Sequence, residues 1–439
     1  MPTDFSKYHK IHFIGIGGIG ISAVARMLLL EGKEVSGSDR DSSEITEELK
    51  KEGAKIFIGQ NAENIDASVD LVVFTVAIPE DNPELKKARE LNIPLLTYPE
   101  TLEVISRGKY TIAVSGTHGK TTTTAMVAQV LIEAGLDPTV LVGSLMRDPK
   151  NPNGPGTNFI LGKSKYFVVE ADEYKKSFLH LHPTILVVNN IDEDHLDFYK
   201  DLADIQNSFR ELAERVPSDG YVICNTDDLH VMPVIDGLKC KVINYLTLHA
   251  SGFTLHVPGV HNQKNAAAAF AVGKTLGIPE KKIHTALENF RGTWRRFEYK
   301  GKTKSGALVY DDYAHNPQKV RAALEGAREM YPDKFITAVF QPHLYSRTKT
   351  LLPEFATSFN NANRVLLVPI YAAREAHDPE ITSEILSVKI GKNVSDIRSF
   401  HSLEEIKKYI LENPRENEII LLMGAGDINT ITTDLVTKP

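Results

Sequence analysis

The sequence Ser-Gly-Thr-His-Gly-Lys-Thr-Thr-Thr-Thr occupies residues 115–124, after the apolar run 110–114 and before the helix-like run 125–134. A strand, a glycine turn and a helix start, in this order, point backbone N–H groups and the positive end of a helix at a phosphate. We therefore expect an α/β fold with a phosphate-binding loop. In that loop Lys120 would reach the terminal phosphates of a nucleotide, and Thr121 would bind Mg²⁺.

The loop differs from the general P-loop pattern, which has a glycine five residues before its Gly-Lys pair. Val114 occupies that position here, so the loop is a shorter form, GTHGKT. A turn rich in glycine and threonine could also simply join a strand to a helix. Such a turn has little use for a lysine beside a run of hydroxyl groups, which favours phosphate binding. The residues expected to contact the nucleotide are Gly116, Thr117, His118, Gly119, Lys120, Thr121 and Thr122.

Length and composition indicate a globular chain of several domains. The chain has 439 residues, which suggests about three domains of ~150 residues. Hydrophobic residues make up 42% and charged residues 24%, as in globular proteins. A formal net charge of −7 argues against a nucleic-acid-binding protein with a broad basic face. Anionic substrates would need local basic groups.

The cysteines and the N-terminus favour a cytoplasmic protein that does not insert into a membrane. Cys224 and Cys240 are the only cysteines, and their spacing matches no metal motif. Residues 1–10 carry charge where a signal peptide would be apolar, and no apolar run approaches ~18 residues.

The N-terminal region predicts a Rossmann-like unit to about residue 108. A strand at 10–15 leads into Gly-Ile-Gly-Gly-Ile-Gly at 15–20, and Asp39 ends the next strand, where such units place an acid near a ribose. Alone, this pattern predicts a dinucleotide site, although another ligand or a purely structural turn would also fit. Thr75 ends a further strand in a loop that either faces a ligand or only precedes a helix. The candidate ligand-binding residues here are Gly15, Gly17, Gly18, Gly20, Asp39 and Thr75.

Acidic residues and a histidine follow two strands of the second region. The strand 166–169 leads into Glu170-Ala-Asp-Glu173, and the strand 185–188 leads into a segment that ends at His195. Carboxyl ends of parallel strands share one edge of a sheet, so Thr121, Glu170 and His195 are the predicted metal ligands. Helix capping and a structural histidine are the alternatives, which the nearby phosphate loop disfavours.

Two further parts of this region are candidates for ligand contacts. The stretch 148–158 reads as a loop, and its last residue, Asn158, either contacts a substrate or lies in an exposed linker. Asn262 and Asn265, three residues apart at a helix start, could hold a polar heterocycle. Capping is the alternative for the first of them.

The C-terminal region repeats the α/β pattern, with strands at 308–311, 335–340, 364–368 and 419–422. Polar clusters follow three of these strands and define one rim that carries histidine and arginine. The clusters are Asp311-Asp-Tyr-Ala-His-Asn-Pro317, Gln341-Pro-His-Leu-Tyr-Ser-Arg347 and Gly424-Ala-Gly-Asp427.

Taken in order, these motifs resemble the Mur ligase family over nearly the whole chain. The matching pieces are HFIGIGGIGIS, SGSD, GTHGKTTTT, EADE, NNIDEDH, GVHNQKN, RRFE, DDYAHNP, QPHLYSRT and GAGDI. The resemblance implies a Rossmann-like N-terminal domain at 1–108 that binds a UDP-sugar through its glycine turn. It also implies a central parallel-sheet ATP-binding domain at 109–291 and a Rossmann-like C-terminal domain at 292–439 that binds an amino acid.

The resemblance also implies cofactors and substrates. ATP and Mg²⁺ are the expected cofactors, and UDP-N-acetylmuramate and L-alanine are the expected substrates. Several members of the family use a modified lysine about a dozen residues after the metal-binding histidine. Residues 203–215 contain no lysine, which is consistent with the alanine-adding branch.

Individual residues take their roles from the same resemblance. Asn262, Asn265, Arg296 and Asp312 would contact ATP, and His315, His343 and Arg347 would bind the carboxylates of the two substrates. The expected catalytic residues are Lys120, Glu170, His195, His315, His343 and Arg347. Asn316 and Leu344 differ from a histidine and an arginine that are common in the family, so the details of amino-acid binding stay open.

The reaction implied is phosphorylation of the lactyl carboxylate by ATP, followed by attack of the L-alanine amine on the acyl phosphate. Closure of the third domain, with a hinge near residues 291–292, would exclude water. The nearest alternative is the same chemistry with a peptide as nucleophile. An NAD-dependent oxidoreductase would leave Lys120 and the metal residues without a role, and a binding scaffold would explain none of the polar clusters.

Overall fold

The structure is a computed structural model, and it describes residues 4–146, 156–196, 198–248, 254–373 and 375–437. The chain divides into two compact units. The first unit contains Met1–Thr254 and Lys264–Phe290, and the second contains Leu255–Gln263 and Arg291–Pro439. Within the described ranges, no helix is both long enough and apolar enough to cross a membrane.

The N-terminal domain of the first unit is a parallel sheet with the strand order β3-β2-β1-β4-β5. Its strands are β1 (Lys10–Ile14), β2 (Glu34–Asp39), β3 (Lys55–Ile58), β4 (Leu71–Phe74) and β5 (Leu95–Thr97). Its helices are α1 (Ile19–Leu30), α2 (Glu44–Lys51), α3 (Pro83–Glu90) and α4 (Tyr98–Ser106), and a 3₁₀ turn spans Ala62–Asn64. The strand order reverses between β1 and β4. That is where open α/β sheets bind ligands.

Local sequence signals explain why these helices begin where they do. Asn82 accepts hydrogen bonds from the backbone of Glu84 and Leu85, and Pro83 occupies the first helical position of α3. Thr97 and Glu100 form a capping box at the start of α4. Helix α4 therefore begins directly after β5, whereas residues 75–82 separate β4 from α3.

The central domain completes the first unit with a sheet of order β12-β11-β10-β6-β9-β7-β8. Its strands are β6 (Tyr110–Ser115), β7 (Thr139–Met146), β8 (Thr157–Ile160), β9 (Tyr166–Glu170), β10 (Ile185–Val188), β11 (Tyr221–Cys224) and β12 (Lys241–Asn244). Its helices are α5 (Lys120–Glu133), α6 (Leu202–Ala213), α7 (Met232–Ile235), α8 (Val260–Thr275) and α9 (Glu280–Glu288). Two 3₁₀ segments span Tyr174–His180 and Tyr245–Leu248.

The register of this sheet positions the phosphate loop. Strand β6 lies between β9 and β10, with Val114 opposite Glu170 and Ser115 opposite Val188. All three strands are largely buried and read as nearly continuous apolar runs, as expected for a parallel sheet covered on both faces. The chain therefore leaves all three strands at the same edge.

The β7–β8 pair is an addition to the predicted architecture. Strand β8 pairs antiparallel with β7, whereas β7 pairs parallel with β9. Of the predicted loop at 148–158, residues 148–155 lie outside the described ranges, and residues 157–158 begin β8. The prediction that 157–158 belong to a loop is therefore wrong.

The second unit contains the C-terminal sheet, whose order is β13-β14-β18-β15-β16-β17. Its strands are β13 (Glu298–Lys302), β14 (Leu308–Asp312), β15 (Phe335–Phe340), β16 (Arg364–Leu367), β17 (Ile397–Ser399) and β18 (Glu418–Met423). Its helices are α10 (Pro317–Met330), α11 (Tyr345–Thr350), α12 (Leu352–Ser358), α13 (Ser383–Ile390), α14 (Leu403–Glu412) and α15 (Thr432–Leu435), with a 3₁₀ turn at Ile428–Ile431. Only β13 pairs antiparallel among the described strands of this sheet.

Candidate functional site

The phosphate loop has the backbone geometry that its glycines predict. Gly116 and Gly119 have φ values of 132° and 80°, a region that favours glycine. A Cβ atom at Gly119 would lie 2.4 Å from Oδ1 of Asn265, so this glycine also allows close packing against α8. Lys120 is the first residue of α5. The loop therefore precedes a helix N-terminus, as predicted.

Residues that follow β10 hold this loop in place. The backbone N–H of Thr117 donates to the Asn190 carbonyl (3.1 Å), and that of His118 donates to Oδ1 of Asn190 (2.8 Å). The backbone N–H of Asp192 donates to Oγ1 of Thr117 (2.8 Å). Asn190 and Asp192 were not among the predicted site residues, although both belong to the NNIDEDH motif.

The ammonium group of Lys120 is folded back onto its own loop and onto an acid. Its Nζ donates to the Gly116 carbonyl (2.7 Å) and to Oε1 of Glu173 (2.9 Å). Burial lowers the pKa of Lys120, but the Glu173 and Asp172 carboxylates raise it and prevail, so the net pKa is raised. Lys120 therefore carries its positive charge at neutral pH.

Thr121 and Glu170 lie together, as two of the predicted metal ligands should. Oγ1 of Thr121 donates to Oε1 of Glu170 (3.0 Å), and the backbone N–H of Gly143 donates to Oε2 (2.7 Å). A Cβ atom at Gly143 would lie 2.6 Å from that same oxygen, so β7 approaches the carboxylate very closely. Burial raises the pKa of Glu170, and Lys120 opposes the shift.

His195, the third predicted ligand, lies beside a different acid. Its Nε2 is 4.0 Å from Oε1 of Glu173, and its backbone has a φ of 54°. Among the described residues, Asp172, Glu173 and His195 form a group whose potential ligand atoms all lie within 4.8 Å of one another. Asp172 and Glu173 were not among the predicted ligands, although the EADE motif contains both.

The donor set fits a hard divalent cation. Carboxylate and hydroxyl oxygens are the ligands that Mg²⁺ prefers, and a buried acid such as Glu173 is costly without a compensating charge. Burial raises the pKa of Glu173, as it does that of Glu170. Lys120 supplies one positive charge for Glu170 and Glu173, so a cation near these acids would further stabilise their ionised forms.

The glycine turn of the N-terminal domain is held by the end of β2. The Ser38 carbonyl accepts hydrogen bonds from Gly15 (2.8 Å) and Ile16 (3.0 Å), and Oδ2 of Asp39 accepts one from Gly17 (2.8 Å). The Asp39 carboxylate, predicted to lie near a ribose, thus binds the turn itself.

Two neighbours pack closely on this turn. A Cβ atom at Gly15 would lie 2.5 Å from Cγ2 of Thr75, and one at Gly20 would lie 2.7 Å from the Tyr98 hydroxyl. Thr75 is therefore next to the glycine turn, and its contact with a ligand stays a prediction. Tyr98 was not selected from the sequence, because nothing in its local pattern places it there.

Asn158 does not occupy the position expected of a substrate-binding residue. Its side chain is fully buried and hydrogen-bonded to the Arg26 guanidinium, the Ile19 carbonyl and, at 2.9 Å, Oγ of Ser22. These partners belong to α1, so Asn158 links β8 to the N-terminal domain. A buried amide whose donors and acceptor are all paired has no free group for a ligand.

In the second unit, Asp312 organises the start of the polar rim. Its carboxylate accepts backbone hydrogen bonds from Phe297 (2.7 Å) and Ala314 (2.7 Å). Burial raises the pKa of Asp312, and Arg296 opposes the shift. The Arg296 guanidinium lies 5.4 Å from the centre of the Tyr313 ring. Two of the predicted ATP-contacting residues are therefore near neighbours.

The predicted carboxylate-binding residues also lie close together. Nη1 of Arg347 lies 3.3 Å from Nδ1 of His343, and the rings of His343 and His315 are 6.1 Å apart. Burial lowers the pKa of His315 well below its usual value, with Lys319 adding to the shift, so its imidazole is neutral at pH 7. The His343 ring stacks on Tyr371 at 5.6 Å.

Arg295 is a structural residue of this rim that was not among the predicted site residues. Its Nη2 donates to the Gly424 carbonyl (2.6 Å), and its Nε lies 3.2 Å from Oδ2 of Asp311. Burial raises the pKa of Asp311 to about 6, against the effect of Arg295. Arg295 thus joins β14 to the glycine loop that follows β18.

Asn262 and Asn265 both lie in the first turns of α8, further inside the helix than predicted. Nδ2 of Asn262 donates to the Pro258 carbonyl (2.7 Å), and both asparagines are buried. Because α8 begins at Val260, neither is the capping residue, and the capping alternative is wrong.

A chain with three α/β sheets, a phosphate loop and a group of acids at the edge of the central sheet belongs to the enzymes that handle nucleoside triphosphates. The comparisons with known proteins specify the family. The chain belongs to the Mur ligase family. The family models that match are "Mur ligase family, catalytic domain" at residues 10–110, "Mur ligase middle domain" at 114–251 and "Mur ligase, glutamate ligase domain" at 295–426.

Similar proteins cover the whole chain. It is 43% identical to the UDP-N-acetylmuramate–L-alanine ligase of Clostridium kluyveri, with 98% of both chains covered. It is also 43% identical to the Clostridium acetobutylicum enzyme of the same name, with 100% of this chain and 99% of that one covered. The crystal structure of UDP-N-acetylmuramate–alanine ligase from Thermotoga maritima matches with a TM-score of 0.82 at 30% identity, covering 97% of this chain and 98% of that one.

These findings confirm the three-domain α/β fold and the resemblance drawn from the motifs. The protein is an enzyme, an ATP-dependent, ADP-forming ligase. The domain boundaries and the roles of individual residues stay predictions.

Proposed function

We propose that the protein joins L-alanine to the lactyl carboxylate of UDP-N-acetylmuramate, with hydrolysis of ATP to ADP, in the synthesis of peptidoglycan precursors. The main support is 43% identity, over nearly the full length, to relatives that carry the name of this activity. The convergence of Lys120, Thr121 and Glu170 at one sheet edge supports the phosphoryl-transfer part of the proposal. We assign the reaction to the cytoplasm, where ATP and nucleotide sugars are made.

A carboxylate is a poor electrophile at neutral pH, so the lactyl carboxylate must first be activated as an acyl phosphate. We assign Lys120 to the phosphates of ATP, where its charge stabilises the γ-phosphoryl group as it passes to the lactyl oxygen. The amine of L-alanine then attacks the carbonyl carbon of the acyl phosphate, loses a proton and displaces inorganic phosphate. Positioning and charge neutralisation supply most of the catalysis, so no nucleophilic side chain is required.

Magnesium has a defined place in this proposal. Thr121, Glu170 and His195 are the predicted ligands, and Asp172 and Glu173 are further candidates because of their positions beside His195. When bound, Mg²⁺ would neutralise phosphate charge and orient the triphosphate.

The remaining residues are assigned by domain. Residues 1–108 bind the UDP-sugar through the glycine turn, residues 109–291 bind ATP, and residues 292–439 bind L-alanine. Asn262, Asn265, Arg296 and Asp312 are assigned to ATP, and His315, His343 and Arg347 to the substrate carboxylates.

One assay tests the proposal against its nearest alternative. We expect phosphate release from ATP only when Mg²⁺, UDP-N-acetylmuramate and L-alanine are all present. A tripeptide would be a poor substitute for L-alanine. Preference for the tripeptide would favour a peptide-adding ligase instead.

A further inference from the structure

The glycine turn of the N-terminal domain offers a diphosphate little positive charge. Residues 15–20 contain no lysine or arginine. The N–H groups of Gly15 and Ile16 are bound to the Ser38 carbonyl, and that of Gly17 is bound to the Asp39 carboxylate. The start of α1 remains as a donor, but it lies beside a negative charge. A ligand with two phosphate groups therefore needs a cation from another part of the chain.

Arg40 directly follows Asp39, whose carboxylate binds the glycine turn. Its Nε donates to Oδ2 of Asp41 (2.7 Å), and the side chain is 84% exposed. Its charge is thus already paired with a neighbouring carboxylate on the surface. The helix α1 has no basic residue that could replace it, since Arg26 is buried in ion pairs with Glu48 and Glu52.

Lys175 of the central domain reaches the loop that packs on the glycine turn. Its Nζ lies 3.5 Å from the carbonyl of Val76. Val76 follows Thr75, the residue that contacts Gly15. A distance of 3.5 Å is long for a hydrogen bond, so the ammonium group loses little when it turns to a stronger acceptor. The side chain is exposed and can do so.

The backbone around Lys175 is held in a conformation that directs this side chain. Lys175 (φ 50°, ψ 29°) and Lys176 (φ 58°, ψ 25°) are consecutive non-glycine residues in the left-handed region. Each such residue costs of the order of 1 kcal/mol or more, so neighbouring contacts must impose the conformation. The Glu173 carbonyl accepts hydrogen bonds from the Lys176 backbone (2.9 Å) and the Tyr199 hydroxyl (2.5 Å).

The two lysines of this turn point to different partners. Nζ of Lys176 lies 3.9 Å from Oδ1 of Asp204 on α6, whereas Lys175 reaches the N-terminal domain. Lys176 therefore provides a matched control, with the same backbone conformation, the same charge and a different direction.

We propose that Lys175 binds the diphosphate of the UDP-sugar at the glycine turn, so that the central domain completes the substrate site of the N-terminal domain. This inference rests on the proposed function, because it takes the UDP-sugar as the ligand of the turn. Lys175 binds and orients the substrate and takes no part in the transfer of the phosphoryl group.

Isothermal titration calorimetry without ATP tests the proposal on the full chain. The probes are UDP-N-acetylmuramate and UDP-N-acetylglucosamine, which share the diphosphate, whereas only the first has a lactyl carboxylate. We expect Lys175→Met to lower the affinity for both UDP-sugars by the same factor, about 10-fold, because a charge-assisted hydrogen bond is lost. The wild-type affinity should fall more steeply with salt than that of the variant. Lys175→Arg should restore most of the affinity, and Lys176→Met should leave it within about 2-fold.

Each other result overturns the assignment. If Lys175→Met lost affinity only for UDP-N-acetylmuramate, Lys175 would bind the lactyl carboxylate instead of the diphosphate. Equal losses in Lys175→Met and Lys176→Met would show a general effect on the turn. Unchanged affinity in Lys175→Met would remove the residue from the site. Failure of the wild type to bind either UDP-sugar would instead refute the proposed function.

Discussion

Replacing Glu173 with glutamine tests how the charge of Lys120 is held. In the structure the Lys120 ammonium lies 2.8–2.9 Å from the two carboxylate oxygens of Glu173, and the side chains of Lys120 and Glu173 are 13% and 3% exposed. Glu173→Gln keeps the shape of the side chain but removes its charge. The buried ammonium group then loses its closest compensating partner.

The expected loss follows from the geometry. At 2.8 Å the gross attraction between the two charges is ~6 kcal/mol with an effective dielectric constant of ~20. Desolvation offsets part of this value, and breaking a buried pair by removing one partner costs about 3–5 kcal/mol. The glutamine can still accept a hydrogen bond, and Asp172 and Glu170 still act on Lys120. We therefore expect the free energy of unfolding of the first unit to fall by about 3 kcal/mol, the lower end of this range.

Thermal unfolding followed by fluorescence, in EDTA, measures this loss. The melting temperature of the first unit should fall by about 5 °C in Glu173→Gln. Glu214→Gln is the control, because Glu214 pairs with Arg210 at the similar distance of 2.9 Å but on the surface. That variant should change stability by no more than about 0.5 kcal/mol. Adding ATP should reduce the difference in melting temperature between wild type and Glu173→Gln, because a phosphate would replace the missing negative charge beside Lys120. Equal melting temperatures of wild type and Glu173→Gln without ATP would refute the reasoning.

Three further changes test other parts of the structure. Asn158→Ala should destabilise the first unit by about 2 kcal/mol in thermal unfolding. An unchanged KM for the UDP-sugar in this variant would show that Asn158 contributes to packing and not to substrate binding. Asp311 has a folded pKa of about 6, above its ordinary value of 3.8, so the folded state binds its proton more tightly and the stability due to this group falls as pH rises between these values. Denaturant unfolding of the second unit should therefore show wild type losing stability relative to Asp311→Asn from pH 4 to pH 6, and a constant difference would contradict the shift. Gly119→Ala should abolish ATP binding in calorimetry, because its Cβ would lie 2.4 Å from Asn265; Gly135→Ala, at the same φ of 80° but with open space around it, should bind ATP normally.

Much of the fold follows from local sequence signals. The apolar runs of β6, β9 and β10 are continuous, and each ends in polar residues, so parallel pairing and a common edge could be predicted. The phosphate loop is equally local, since its glycines and Lys120 lie within five residues of one another. These elements need no long-range information to be recognised.

Other positions depend on contacts between distant parts of the chain. Asn158 has the composition of a loop residue, but it is buried because Arg26, 132 residues earlier, needs an acceptor. Asp39 occupies the expected strand end, yet its carboxylate binds Gly17. Strand β8 has only four residues and pairs with β7 across a segment outside the described ranges. Sequence spacing alone does not indicate any of these partners.

The EADE motif could be recognised from the sequence, but the position of Glu173 beside Lys120 could not. Glu170 ends the strand and faces Thr121 and Gly143, so its direction follows from the pleat. Glu173 comes three residues later, where the chain turns and the Tyr199 hydroxyl binds its carbonyl. That turn, and not the strand, directs the carboxylate towards Lys120. Glu173 thus helps to keep Lys120 charged, while Glu170 accepts a hydrogen bond from Thr121, the residue that follows this lysine.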